Sequence, residues 1–219
     1  MNYQSNNYRP NTEFTVFPPA VKHLLIINLV VFIASWTPGI GPVLQTFAPL
    51  FPIESSQFYP WQFVSYMFMH AGLGHIIFNL FALWMFGQAI ENFWGTKRFA
   101  IYYFLTGIGA GLLHVLINND PVSTAQGLRY IPTVGASGAV YGILLAFGMM
   151  FPERPIMLLF LPIPIKAKYF VAFFGALELY NGVAGTQLGV ANFAHLGGML
   201  VGFILIKVWG LKKEERHHA

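Results

Sequence analysis

Cysteine is absent from the 219 residues, so disulfides, thiolate nucleophiles and cysteine metal sites are all excluded. Aspartate occurs once, as Asp120, and a pair of catalytic aspartates is excluded with it. No His-Glu-x-x-His is present, which removes the two-histidine helix and glutamate base of a zinc hydrolase. Histidines and Asn79 could in principle approach a metal, but the acidic ligands expected beside them are missing, so neither metal nor cofactor is expected. Charge is scarce too: charged residues make up 9% of the chain, hydrophobic residues 56%, and the mean hydropathy is +0.58. Such a chain cannot cover itself with polar surface in water and reads as a polytopic membrane protein. Its pI of about 9.3 rests on few cations without a basic stripe, so membrane orientation explains it and nucleic acid is not an expected partner. There is no internal repeat, soluble domain or low-complexity tract.

What is there is a set of apolar runs. A hydrocarbon core of about 30 Å needs about 20 helical residues, and six runs are read as spans, at 22–37, 73–91, 98–117, 134–150, 166–183 and 192–209. A cleaved signal peptide is the rival reading of the first, but the residues before it are polar rather than basic and no clear small-x-small site follows. Loop charges test the six-span topology independently. With a cytoplasmic N-terminus, that side carries Arg9, Lys22, Lys97, Arg98, Arg154, Lys166, Lys168, Lys207, Lys212, Lys213 and Arg216, and the other side only Arg129. This positive-inside bias puts both termini in the cytoplasm. The expected organisation is a short cytoplasmic segment over 1–20, a six-span core over 21–210 and a cytoplasmic tail over 211–219. The segment Pro38 to Met69 carries one charge, Glu54, and is expected to lie partly in the outer interface with Phe58, Tyr59, Trp61 and Tyr66 at headgroup level.

Polar residues converge at one depth. The second, fourth and sixth spans run from outside to inside, and each carries its unusual polar groups in its first turns. His75 and Asn79 are four apart and share a helix face, as do Ser137 and Tyr141; His195 stands near the start of the sixth span. Ionisable groups inside a bilayer are costly and tend to be there for function. Gly138 and Gly142 follow the serine, and Gly198 and Gly202 follow the histidine, as small-xxx-small faces that let helices approach closely. Packing the fourth span on the sixth through these faces predicts a Ser137–His195 hydrogen bond. Gly107 and Gly111 in the third span form a similar pair without a polar partner, so the glycine pattern alone signals packing only.

A serine hydroxyl is a poor nucleophile until a base takes its proton, and an imidazole suits that task near neutral pH. Ser137 is the candidate nucleophile and His195 the candidate general base. Attack on an amide builds charge on the carbonyl oxygen and needs preorganised donors; His75, the Asn79 amide and the Ser137 backbone N–H are available. No carboxylate is expected to complete a triad, although Glu178 is the one acid within a span near the outer leaflet. The expectation is a Ser-His dyad with Tyr141 packed on the imidazole.

These motifs, HAGLGHIIFN with His70, His75 and Asn79, GASG from Gly135 to Gly138, and AHLGG with His195 and Gly198, resemble the rhomboid intramembrane serine proteases. The resemblance runs from about Trp61 to the end of the sixth span and includes Glu91, Trp94, Gly95, Lys97 and Arg98. It implies an all-α membrane protein, a six-transmembrane-helix rhomboid-like bundle with a long, partly membrane-embedded first loop and a cavity open to the outside. It further implies a Ser137–His195 dyad and an oxyanion hole at His75 and Asn79. Tyr141, Gly135, Gly138, Gly198 and His70 are then supporting residues, His70 beneath the loop above the site. The implied substrates are single-span membrane proteins whose helix unwinds near the outer face, entering past Phe170, Phe173 and Phe174 of the fifth span and the connection from Asn181 to Val190. One departure is Trp61-Gln62, where many relatives carry Trp-Arg to organise the first loop. The alternative class is a catalytically silent rhomboid-like chaperone or client-binding protein, in which nucleophile or base is normally missing; both are present here. A transporter would show broken helices in paired positions or an internal repeat, and neither occurs. Compact loops suit a prokaryotic plasma membrane.

Overall fold

The computed structural model describes residues 14–117, 121–124, 127–158, 161–184 and 191–213. Arg9, Asp120, the connection from 185 to Val190 and the tail from Glu214 lie outside them. Helix α1 (Pro19–Ser35) opens on a proline, which is tolerated in a first turn because its missing N–H would have no intrahelical partner there. The N–H groups of Ala20 and Val21 that follow donate to the two oxygens of the buried Glu91 carboxylate, each at 2.8 Å, and Thr96 Oγ1 donates to Glu91 Oε1 at 2.7 Å. A buried anion at a helix N-terminus satisfies both the orphan donors and the helix dipole. At the far end Gly39, with φ of 84°, turns the chain through 113° into α2 (Ile40–Phe47).

The first loop is more ordered than its composition suggests. It contains α3 (Gln62–Ser65) and a single 3-10 turn (Tyr66–Phe68). Gln62 is fully buried and takes the centre: its Nε2 donates to the carbonyls of Gln57 (2.8 Å) and Phe47 (3.4 Å), and its Oε1 accepts from the N–H groups of Phe51 and Tyr59, both at 3.2 Å. Trp61 Nε1 adds a bond to the Phe47 carbonyl. Tyr59 and Trp61 stack at 4.4 Å, and Trp61 stays 53% exposed. Tyr66 corrects the expectation of a headgroup-level ring: it is 2% exposed, and its hydroxyl donates to the Gly107 carbonyl at 2.7 Å. The small residues Gly107 and Gly111 explain this, because a Cβ at either would strike Met67 or Leu50. That glycine face of the third predicted span seats the loop.

Six longer helices coincide with the six predicted spans: α1, α4 (Leu73–Trp94), α5 (Thr96–Ile117), α6 (Ser137–Met150), α7 (Ala167–Ala184) and α8 (Asn192–Val208). Among the described residues only α4 and α5 are long and apolar enough to cross a membrane singly; α1 with α2 is a bent third candidate, and α6 and α8 are shorter apolar helices. The chain is mostly helical, as expected, and two short antiparallel hairpins that the all-α reading did not include lie in its connections: β1 (Val122–Thr124) with β2 (Gly127–Arg129), and β3 (Pro155–Leu158) with β4 (Leu161–Lys166). Pro155, Pro162 and Pro164 bar a helix from the second hairpin, whereas a two-stranded ribbon has outer edges where a missing N–H is harmless. Beside it Glu153 pairs with Lys166 at 2.7 Å and with Lys168.

Helix α6 is the centre of the bundle. It is apolar and buried nearly all round, and it packs against α4, α5, α7 and α8. Small side chains make that possible: Gly138 lies against Ala110, Gly142 against Thr106 and Gly148 against Val171. The outer faces stay apolar and exposed, with Ile26, Val30, Ile77, Phe78, Tyr180 and Phe203 among them. An apolar perimeter around helices that satisfy their own backbone is the form a bilayer demands.

Candidate active site

Ser137 is the first residue of α6, reached through an extended approach in which Gly135 has φ of 128°. That is left-handed territory which L side chains avoid. Space forbids a side chain there as well: a Cβ on Gly135 would sit 2.8 Å from both Cε1 and Nε2 of His75 and 3.6 Å from Ser137 Oγ. The glycine lets His75 and Ser137 face one another. His195 enters from the first turn of α8, and its Nε2 lies 2.8 Å from Ser137 Oγ. The two helices meet where Gly198 crosses Gly138, backbone on backbone.

Tyr141, one turn after Ser137, stacks on the imidazole with centroids 4.3 Å apart and planes 7° from parallel. Its hydroxyl donates to Glu178 Oε1 of α7. Glu178 Oε2 in turn lies 3.0 Å from His195 Nδ1. The expectation that no carboxylate reaches the histidine is therefore corrected. The approach is at ion-pair distance but off the line of a formed hydrogen bond. Glu178 and His195 are 6% and 8% exposed, so this is a buried contact. The single acid in the outer part of the fifth predicted span was the available signal; the rotation of that helix was not readable.

On α4, His75 Nδ1 accepts the Ala71 N–H at 3.3 Å. A neutral ring that accepts at Nδ1 carries its proton on Nε2, the edge that faces Gly135 and Ser137. Asn79 lies on the buried side of α4; its Nδ2 donates to the His75 carbonyl at 2.8 Å, which leaves the second amide hydrogen for another acceptor. His70 is buried edge-to-face against His75 at 5.1 Å, with neither ring nitrogen hydrogen-bonded among the described residues. Burial, and then the neighbouring His75, pull the His70 pKa down from 6.5 to about 4. Neutral imidazole is the cheaper form in such a site. The first N–H groups of α6 have no carbonyl one turn earlier and complete a cluster of donors. A separate cleft lined by Trp94, Lys97, Arg98 and Trp209 lies at the opposite end of α4 and takes no part in this cluster. Among the described residues no group of three potential metal ligands is assembled.

A serine on an imidazole with donors nearby, inside apolar helices, has the parts that acyl transfer requires. The family model for the rhomboid domain matches residues 57–211. The chain belongs to the rhomboid family. This rhomboid is 33% identical over 147 residues to RHOMBOID-like protein 1 of Arabidopsis thaliana, covering 66% of the chain and 33% of the relative. Rhomboid protein 1, mitochondrial, of Saccharomyces cerevisiae is 29% identical over 209 residues, 92% of the chain and 57% of the relative. Rhomboid protease GlpG of Pectobacterium atrosepticum is 26% identical over 187 residues, 85% and 61% respectively. The chain thus spans less than two thirds of each of these relatives. Family and apolar helices together make this rhomboid an integral membrane protein.

Proposed function

We propose that this rhomboid is an intramembrane serine endopeptidase that cuts single-span membrane proteins near the outer face of the bilayer. The observation that carries the reading is the 2.8 Å approach of Ser137 Oγ to His195 Nε2 within a shell of apolar helices. Relatives named rhomboid proteases, GluP of Bacillus subtilis and AarA of Providencia stuartii, support the same reaction class.

In the proposed reaction Ser137 Oγ attacks the scissile carbonyl carbon while His195 Nε2 takes the hydroxyl proton. The carbonyl oxygen becomes an anion, met by His75 Nε2–H, the free Asn79 amide hydrogen and the α6 N-terminal N–H groups; each such donor typically contributes about two to three orders of magnitude in turnover. The C–N bond then breaks as the imidazolium passes its proton to the leaving nitrogen. Water attacks the acyl-serine with His195 again as base, releasing the new carboxyl terminus and restoring Ser137. No cofactor enters these steps.

The proposed topology has six crossings over a core of 21–210, with the flanking segments 1–20 and 211–219 cytoplasmic, in a prokaryotic plasma membrane. The loop cations support this orientation. At 1.5 Å per residue, the 14 residues of α6 reach only about 21 Å, short of the hydrocarbon core at about 30 Å. Ser137 then starts its helix within the membrane, approached by irregular backbone that is packed in protein, as such depth requires. Substrate enters past α7, where Phe173 is 62% exposed beside Phe174.

The test is reaction of the purified chain with a fluorophosphonate, in detergent and in bilayers, for the parent, Ser137→Ala and His195→Ala. Labelling of the parent that is lost in both variants is expected. A folded parent that never labels would overturn the protease reading in favour of client binding without catalysis.

A further inference from the structure

Glu178 is an acid on an otherwise mostly apolar helix, buried, and used by no step above. A buried carboxylate is costly unless it is paired and hydrogen-bonded. Each of its oxygens has one neighbour with chemistry. Oε1 accepts the Tyr141 hydroxyl, and Oε2 faces His195 Nδ1 at 3.0 Å. Neither His195 Nδ1 nor Glu178 Oε2 has a formed hydrogen bond among the described residues, and the two lie 3.0 Å apart. The relationship is closed by Tyr141, whose ring lies on the imidazole while its hydroxyl holds the acid. Ser137 and Tyr141 on α6, Glu178 on α7 and His195 on α8 form one linked set.

We infer that Glu178 is the positioning residue for His195: it holds the imidazole in the form with its proton on Nδ1, so that Nε2 presents a lone pair to Ser137, and Tyr141 holds Glu178 in place. The inference deepens the protease reading and rests on it. A neutral imidazole with its proton on Nε2 cannot accept from Ser137, so the tautomer decides whether the base functions. A carboxylate at Nδ1 selects the productive tautomer and offsets the positive charge as Nε2 takes the proton. The proton stays on the imidazole throughout, and Glu178 gains none. The 3.0 Å separation needs only a small ring or carboxylate rotation to become a hydrogen bond, well within the reach of a side chain at ambient temperature.

The experiment compares parent, Glu178→Leu, Glu178→Gln, Tyr141→Phe and Ser137→Ala full-length chains in bilayers, with a single-span reporter as substrate. Leucine removes the acceptor, glutamine keeps an acceptor oxygen for Nδ1–H while losing the charge, and Tyr141→Phe keeps the stacked ring. Expected for Glu178→Leu is a kcat about 10²-fold lower at a KM within about twofold, given the usual worth of a well-set general base. Glu178→Gln recovers about tenfold of that loss, and Tyr141→Phe loses about tenfold, as smaller perturbations of the same base. Nitrogen-15 spectra, with His195 assigned by its loss in His195→Gln, report Nδ1–H in the parent and a shift toward Nε2–H in Glu178→Leu. Parent-like kcat in both Glu178→Leu and Tyr141→Phe overturns the inference, as does equal loss in the leucine and glutamine variants with an unchanged tautomer. The control separates the two readings. A parent that cleaves beside a silent Ser137→Ala keeps the protease reading whatever Glu178 does, and a parent that neither cleaves nor labels removes both.

Discussion

Gly198 crosses Gly138 so closely that a Cβ on Gly198 would sit 1.9 Å from the Gly138 carbonyl oxygen. This contact is backbone on side-chain space, so no rotamer change can relieve it. Gly198 is three residues after His195 and Gly138 directly follows Ser137, so the crossing sets the spacing of the candidate nucleophile and base.

Gly198→Ala should therefore push α8 away from α6 by about an ångström and cost about 10²-fold in fluorophosphonate labelling rate, the usual penalty for misplacing a catalytic group by that distance. The accompanying loss of stability should be about 1–3 kcal/mol, as for other overpacked sites. Labelling kinetics and thermal unfolding of the variant in a single detergent check both figures. A variant with parental labelling would mean that the crossing does not govern the pair.

Gln62 is expected to hold the first loop in place of an arginine. Gln62→Leu keeps about the same volume but strips partners from the backbone N–H groups of Phe51 and Tyr59 and from the Gln57 carbonyl, while the Phe47 carbonyl keeps its bond from Trp61 Nε1. Stability should fall by about 1–3 kcal/mol for the buried Phe51 N–H and by less for the part-buried groups, and protease nicking between α2 and α3 should rise. Limited proteolysis against the parent is the measurement, and an unchanged digestion rate would remove Gln62 from that role.

The third prediction concerns pH. His70 has its pKa lowered from 6.5 to about 4 by burial first and the neighbouring His75 second. The unfolded chain therefore binds the proton more readily, and the stability this group contributes is present above pH 6.5 and lost progressively as pH falls toward about 4. One such site changes stability by at most about 1.4 kcal/mol per pH unit. Thermal midpoints measured across that window should fall for the parent and fall less for His70→Gln. Identical slopes for the two proteins would show that His70 is not the group responsible.

Much of this molecule was legible without coordinates, and the reason is that a bilayer imposes a coarse rule. A chain that must satisfy its backbone inside hydrocarbon forms helices or a closed barrel, and uninterrupted apolar runs of helix length such as 73–91 and 98–117 read directly as α4 and α5. The same rule makes a serine, a histidine and a His75–Asn79 pair at matching depth conspicuous, and small-residue faces show which helices can touch. The hairpins and the buried Tyr66 were not readable. Proline breaks a helix without saying what replaces it, and an aromatic ring in an apolar loop suits an interface as well as a core.

The sequence by itself determined the membrane class, the helical runs and the residues available for chemistry, because these follow from hydropathy, length and residue type. Only the tertiary structure decided that Glu178 turns inward to His195 and that Gln62 gathers four backbone groups. Helix α7 exposes apolar side chains on its outer face and buries others within, so its composition carries little contrast from which to read its rotation. That angle is set by packing against α6 and α8, and the carboxylate goes where the packing turns it.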